Sequence, residues 1–461
     1  MRAAVFRSLV FTCLATHLPA ATLTISKDVS FSAGSTKVFW PVPAGSGISE
    51  VIAARDGGRI VIGAPGSFDH TPSISKLRPD GEPAWTQSLG ETNLWHFYVD
   101  SIETTNRDVV VLEYTSSSLP GSSLFGNPRL QVLNREGNLV KKVEIASPLL
   151  FQKLVQVGNG YLMAGKYPLQ FSNPANWRII IRRLTHDFET EWERLTPTGD
   201  INGRGPEGNG QMGVIDLKAT RDRGAIYLLD SGYVVKVTPD GTNEWKTDLG
   251  SGDTHLPQQV LPLREGGYLV VYSSSLASAP WRTAPLYGQS DIWLVRLNEE
   301  GQKIWDRSFG GNQRDAFSFI TQTDDGGFML GGYSESDTIS GNKGVSGRGT
   351  WLLKLNSGGV KEAEYLIGGE YWKLLPKSRG FEAVGWSDAT PCCSSLSSVD
   401  INARLRVNVT ARSSGDRPFK LDVSTNLTTW APRVMGFLGE LRLLENPNEP
   451  QKFYRVRDAG E

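Results

Sequence analysis

KLRPDGEPAWTQSLG (76–90), KVTPDGTNEWKTDLG (236–250) and RLNEEGQKIWDRSFG (296–310) are three spellings of one unit. In each, a glycine is followed four residues later by tryptophan and five residues after that by glycine: Gly81/Trp85/Gly90, Gly241/Trp245/Gly250 and Gly301/Trp305/Gly310. A fixed spelling at an irregular period of roughly 50 residues marks stacked supersecondary units, none of which can bury its apolar face alone.

Upstream of each spelling lies a hairpin. SEVIAARDGGRIVIGA (49–64), QVLPLREGGYLVVYS (259–273) and SFITQTDDGGFMLGGY (318–333) each place a Gly turn between two apolar, β-prone runs. Glycine accepts the positive φ that such a turn demands. A variable loop and a third strand follow (IWLVRL, 292–297; TWLLKL, 350–355; YVVKV, 233–237), and a second Gly turn leads into the Trp strand. Four short strands per unit, with no helical period, predict the blade of a β-propeller. First-hairpin turns fall at Gly58, Asp108, Gly160, Gly224, Gly267, Gly327 and Gly380. Two of them are degenerate, with Asn106-Arg107 and Asp222-Arg223 where other units have glycine. The last unit, 371–387, supplies two strands and then loses the pattern, while 21–45 reads as a third and fourth strand in which Trp40 precedes Gly45 by the same five residues. The expectation is an all-β, seven-bladed β-propeller with a split closing blade over 22–390, its ring leaving no free sheet edge. A linker is expected at 391–403 and a small C-terminal β module at 404–461.

The chain has 461 residues, 50 of them Gly and 25 Pro, with 39% hydrophobic residues and a formal net charge of -1. This balance gives no footprint for nucleic acid and no polybasic membrane surface. Residues 1–21 read as a signal peptide: Arg2 and Arg7, then an apolar stretch too short to span a bilayer, then small residues around Ala20-Ala21. Export to the periplasm, the cell surface or the medium follows, with no transmembrane segment after cleavage. Cys13 leaves with the leader, so only the adjacent Cys392 and Cys393 remain. A vicinal disulfide between them would be strained, and the fold cannot depend on a disulfide framework.

These residues carry resemblances. The DGG…W…G units resemble exported bacterial β-propeller repeat proteins, and the PDGxxxW strands are similar to the tryptophan-docking repeats of quinoprotein dehydrogenases. The tail, Val423-Ser424-Thr425-Asn426-Leu427-Thr428-Thr429-Trp430 with Phe453-Tyr454-Arg455-Val456, resembles a small C-terminal module of large exported proteins of environmental bacteria. The likeness implies fold and export, and no particular chemistry.

Candidate sites are few. The recurrent Trp85, Trp192, Trp245 and Trp305 are expected to pack between blades, because one position recurs around a ring. Gly203-Arg204-Gly205-Pro206-Glu207-Gly208 matches a dinucleotide fingerprint but lacks the strand before and helix after that would hold a pyrophosphate. His70, His96, His186 and His255 show no zinc spacing. The loop 337–344 is the one candidate for calcium. No catalytic residue, metal or cofactor is assigned. The long loops between second and third strands gather on one face, and function on such scaffolds resides on loops. Trp281 and Tyr287 from one loop, with Trp177 and Tyr167 from another blade, are the expected ligand-binding residues. The reading is an exported, non-enzymatic, monomeric binding or scaffolding propeller whose partner is a polysaccharide or a cell-envelope protein. The alternative is an extracellular enzyme, either polysaccharide-degrading or a quinone-dependent dehydrogenase. Carboxylates with a His or Tyr in the central channel would favour the enzyme.

Overall fold

The computed structural model describes residues 48–386, apart from 64–72, 91–94, 117–126, 146–149, 169–176, 196–212, 251–253, 279–280 and 377–380. It also describes the strands 21–33, 37–41, 395–413, 419–424, 431–437, 440–445 and 453–458. The signal-peptide reading, the Gly203–Gly208 loop, His70 and the Cys392-Cys393 pair lie outside these residues. Every element among them is a β-strand or a turn, and no helix is long and apolar enough to cross a membrane.

The chain is a β-propeller built of antiparallel four-stranded meanders. Six such blades follow one another: 48–88, 95–144, 150–195, 214–248, 255–309 and 315–367. Within a blade the middle strands are buried on both faces. In the fifth, Asp291–Leu297 is buried at every position, which is why DIWLVRL contains few polar residues. The outermost strand is half-covered, and Asn243–Asp248 in the fourth blade alternates between exposed and partly covered positions. Sheets covered on both faces read as continuous apolar runs, and sheet edges as alternation.

Neighbouring blades are joined by apolar clusters. Ile60 and Ile62 meet Val109 and Val111; Val110 and Leu112 meet Phe151 and Met163; Ile179 and Ile181 meet Tyr227 and Val235. The series continues from Ile226 and Leu228 to Val270 and Trp293, then from Val271 and Leu294 to Leu330 and Trp351. The repeated tryptophans pack against these clusters and lock four of the blades to the blade that follows, as expected. A Cβ added at Gly137, Gly241, Gly301 or Gly359 would lie about 2.5–2.6 Å from the ring of Trp85, Trp192, Trp245 or Trp305 respectively. The indole N–H of Trp85 donates to Arg135 O at 3.0 Å, that of Trp192 to Pro239 O at 3.2 Å, and that of Trp245 to Glu299 O at 2.7 Å.

The expectation of seven blades, the seventh split between the chain ends, is corrected: six four-stranded blades are present. Between the sixth and first lies a six-stranded sheet made from both halves of the chain. Its path runs Glu370–Pro376, Phe381–Trp386, Ser395–Ser413 and Ala21–Ala33, with Lys37–Pro41 and Glu440–Glu445 also paired to the long strand. The N-terminal stretch therefore supplies one strand position beside 395–401, not the expected third and fourth strands. A strand, not a linker, occupies 395–403. Its signal is the alternation Val399, Ile401, Ala403, Leu405, Val407, Val409, which the run Cys392-Cys393-Ser394-Ser395 conceals. This sheet packs on the sixth blade through Tyr371, Leu374 and Ala383 against Phe319 and Leu352. On its other side Leu375 and Val384 meet Val51, Val61 and Leu77 of the first blade. A buried ion pair reinforces that contact, Arg59 Nε donating to Glu382 Oε2 at 2.8 Å. The remaining C-terminal strands, Ala431–Phe437, Phe419–Ser424 and Phe453–Asp458, form a separate three-stranded sheet in that order.

Candidate functional site

The first strand of each blade is innermost, and its inner edge has no ladder partner. In all six blades and in the closing sheet, this strand carries an irregularity at one place, where its pairing slips by a residue. Such bulges re-aim side chains and recur next to sites. The residues just after the slip are Glu50, Asp100, Lys153, Asp216, Gln259, Phe319 and, in the closing sheet, Lys373. Five of the seven are charged, on strands otherwise dominated by apolar residues.

Part of this ring has a structural task. The unladdered inner edge exposes N–H groups, and the preceding blade satisfies some of them. Asp100 Oδ2 accepts from Leu154 N at 2.7 Å, and Asp216 Oδ2 from Val260 N at 3.1 Å. Gln152 Oε1 accepts from Val214 N at 2.9 Å, and Ser273 Oγ from Phe317 N at 3.0 Å. The rest is electrostatic. Lys218 Nζ lies 2.6 Å from Asp216 Oδ1, and Lys373 Nζ 3.7 Å from Glu50 Oε1. Tyr98 donates its hydroxyl to Glu50. Burial raises the Asp100 carboxyl; attraction to Lys153 opposes this, repulsion by Glu50 adds to it, and the group ends at about 7. Burial works against the Lys218 charge too, but Asp216, with Asp100 and Glu50, more than restores it and holds its pKa above the usual value. Lys218 on the fourth blade thus senses carboxylates on the first and second, so these side chains share one space inside the ring. The sequence reading missed this cluster.

The long-loop end is best described between the fifth and sixth blades. Here Arg282, 6% exposed, donates to Ser274 Oγ and Ser308 Oγ at 2.8 Å, and to Ala284 O and Pro285 O at 3.0 Å. Burial disfavours the charge of Asp306, yet hydrogen bonds from Thr283, Ala284 and Trp293 outweigh it and hold the carboxyl well below its ordinary range. In the next loop Lys343, 1% exposed, donates to Ser336 O and to Gly347 O at 2.7 Å. Its ammonium bridges carbonyls on either side of 337–344, so this is a lysine-stapled loop. Asn342 ties it back to the fifth blade, donating to Ser308 O at 2.7 Å and accepting from Gly310 N at 3.0 Å.

Trp281 is half-buried. Its ring stacks on His255 with centroids 4.6 Å apart, and His255 stacks in turn on Tyr272 at 4.3 Å. The Leu249 carbonyl can only accept, so His255 Nε2 carries the proton and Nδ1 accepts from Ser274 Oγ at 2.7 Å. A hydroxyl on an imidazole suggests a nucleophile and its base, but both residues are 0% exposed. Burial pulls the His255 pKa down to about 4. The pair anchors the loop. His96 is buried as well, 3.1 Å from Glu113, while His186 is exposed beside Asp187. Tyr287 is 37% exposed and neighbours Gly341, where a Cβ would lie 2.7 Å from Tyr287 Cβ. Ile339 on the same neighbouring loop is 68% exposed, and Leu256 at the start of the fifth blade is 43% exposed. Tyr167 and Trp177 lie at the paired ends of two strands of the third blade, where Tyr167 is partly buried and packs on that blade's cluster. The four expected aromatics are thus divided between the fifth and the third blades.

No protein-family model matches the chain, and no curated protein matches it. Among solved structures it is similar to BamB from Moraxella catarrhalis, at 14% identity and a TM-score of 0.42, covering 80% of this chain and 100% of that one. It is also similar to Raptor from Chaetomium thermophilum, at 10% identity and a TM-score of 0.48, covering 79% of this chain and 28% of that one. The C-terminal WD40 domain of Sif2 gives 8% identity and a TM-score of 0.41, covering 80% and 99%. No function is drawn from these likenesses.

Proposed function

We propose that this protein is an exported, non-enzymatic binding or scaffolding propeller. In this reading the composite sheet serves as the seventh blade and closes the ring, with the three-stranded C-terminal sheet as an appended module. The carrying observation is the set of exposed apolar side chains on two stapled loops and the start of the fifth blade. Arg282 and Lys343 hold the loops from inside while Tyr287, Ile339 and Leu256 face outward. Rigid loops lose little entropy on association, and aromatic and aliphatic anchors suit a protein surface better than a sugar. A cell-envelope protein is therefore the favoured partner, with a polysaccharide second. Tyr167 and Trp177 offer a further contact on the third blade. The test is capture of envelope extracts and polysaccharides by the full chain and by a Tyr287→Ala/Ile339→Asp variant whose circular dichroism is unchanged. Loss of a saturable partner in the variant supports the reading; equal binding by both proteins overturns it.

One observation favours the enzymatic alternative. Asp100 titrates near neutrality beside Glu50 and Tyr98 inside the ring, a setting suited to general acid–base work on a polysaccharide chain. Polysaccharide hydrolysis abolished by Asp100→Asn with binding retained would establish it. The absence of turnover on polymers that the protein binds would remove it.

A further inference from the structure

The opposite face, where the hairpin turns gather, holds a cavity that the loop-based reading does not use. It has a volume of about 370 Å³ and lies between the third and fourth blades. The turn Gly158–Gly160, Thr185, His186, Glu191, Arg183 and Arg223 line it. We propose that this cavity is a binding site for a small oxyanion-bearing ligand of sugar-acid size.

Two observations carry the assignment, and a third supplies its test. First, Arg183 is held but not satisfied. Its Nη2 donates to Val157 O at 2.9 Å, and Nε lies 3.5 Å from Glu191 Oε2. Its Nη1 is buried with no hydrogen-bond partner among the described residues. A guanidinium presents a planar fork suited to carboxylate or phosphate, and an idle buried N–H is costly unless something fills its place. Second, Arg223 is exposed and forms no ion pair among the described residues. Glu191 answers Arg183, so Arg223 gives the cavity a net positive charge. Third, Arg223 sits at φ 68, in the left-handed region, where the fifth and sixth blades place Gly266 and Gly326. An L-residue there is less stable than glycine, so Arg223 can be exchanged for glycine without loss of stability. The volume falls within the range of small-molecule pockets. An anionic group would meet the two guanidinium groups, and Glu191 and Thr185 remain to meet hydroxyl groups.

Arg107 provides the control. It occupies the equivalent turn of the second blade at φ 69 but does not line the cavity. Arg223→Gly and Arg107→Gly each relieve the same strain, so both proteins should fold at least as well as the parent. Full-length protein is titrated with sodium glucuronate, with inorganic phosphate, and with glucose as the neutral arm, at fixed ionic strength, by calorimetry and thermal shift. We expect saturable binding of glucuronate or phosphate and none of glucose. Arg223→Gly should weaken the binding by roughly tenfold or more, and Arg107→Gly should leave it unchanged. A preference for glucuronate assigns the carboxylate source, and a preference for phosphate the phosphorylated one. Absence of saturable anion binding overturns the proposal, as does an equal response of the two glycine variants. Either result leaves the loop-face reading untouched.

Discussion

The Trp–Gly lock makes a prediction that one pair of substitutions resolves. Gly301 has φ +78, and a Cβ there would meet Trp245 Cε3 at 2.5 Å. Gly326 has nearly the same backbone, φ +79, with nothing within 4 Å of its added Cβ. Alanine at either position adopts a left-handed conformation that costs about 1 kcal/mol. At Gly301 the indole must also move. Overpacking of this kind costs about 1–3 kcal/mol. Loss of the Trp245 hydrogen bond to Glu299 O adds about 1 kcal/mol. We therefore expect Gly326→Ala to lose about 1 kcal/mol and Gly301→Ala about 3–5 kcal/mol. Urea titration followed by tryptophan emission measures both, and Gly301→Ala should red-shift the native spectrum as Trp245 leaves its seat. In a Trp245→Ala background, Gly301→Ala should cost no more than Gly326→Ala. Equal losses for the two single variants would refute the lock, reducing these glycines to turn formers.

Three other outcomes are expected. Arg59 and Glu382 are 4% and 2% exposed across the junction of the closing sheet and first blade, so Arg59→Met leaves a buried carboxylate. It should lower stability by about 3–5 kcal/mol, and the double variant Arg59→Met/Glu382→Leu should recover part of that; a double variant no better than the single one counts against the pair. Asp100 has its pKa raised from 3.8 to about 7 in the fold, so the native state binds the extra proton and this group's contribution is lost as pH rises between those values. Asp100→Asn keeps an acceptor for Leu154 N, so its melting temperature should gain on the parent from pH 5 to pH 8, whereas parallel curves would contradict the assignment. Lys343→Met leaves the Ser336 and Gly347 carbonyls without their ammonium donor, so proteolysis should begin within 337–347 while the bulk melting transition stays within a few degrees; an uncut loop would show that the lysine is not its staple.

The repeat was legible because its glycines and tryptophans serve the backbone and the blade contact, which every unit needs in the same place. The inner ring was not read, yet a signal existed. Glu50, Asp100, Asp216, Gln259 and Phe319 each stand seven residues before the left-handed turn residue of their unit, Gly57, Arg107, Arg223, Gly266 and Gly326. Their chemistry varies, so they do not announce themselves as a motif, and the bulge that aligns them is a property of pairing. The loop aromatics are harder to read. Trp281 looked like a loop-borne stacking surface, but a tryptophan near a histidine and two further aromatics finds more apolar area by packing among them. The closing sheet was half-read. Two strands from 371–387 are legible, and 21–45 reads as two neighbouring strands where it lies along one, while the strand between them is concealed by Cys392-Cys393-Ser394-Ser395, whose composition resembles a loop.

Amide hydrogen exchange across the closing sheet tests the account most directly. If strands from both chain ends complete the ring, amides within 37–41 and 395–401 are laddered to one another and to Phe381–Trp386. Their protection should then match that of the first-blade strand Arg59–Gly63, and all should be lost together in one transition as denaturant rises. Exchange of 37–41 and 395–401 at the rate of an exposed loop, with the six blades still protected, would contradict closure by the chain ends.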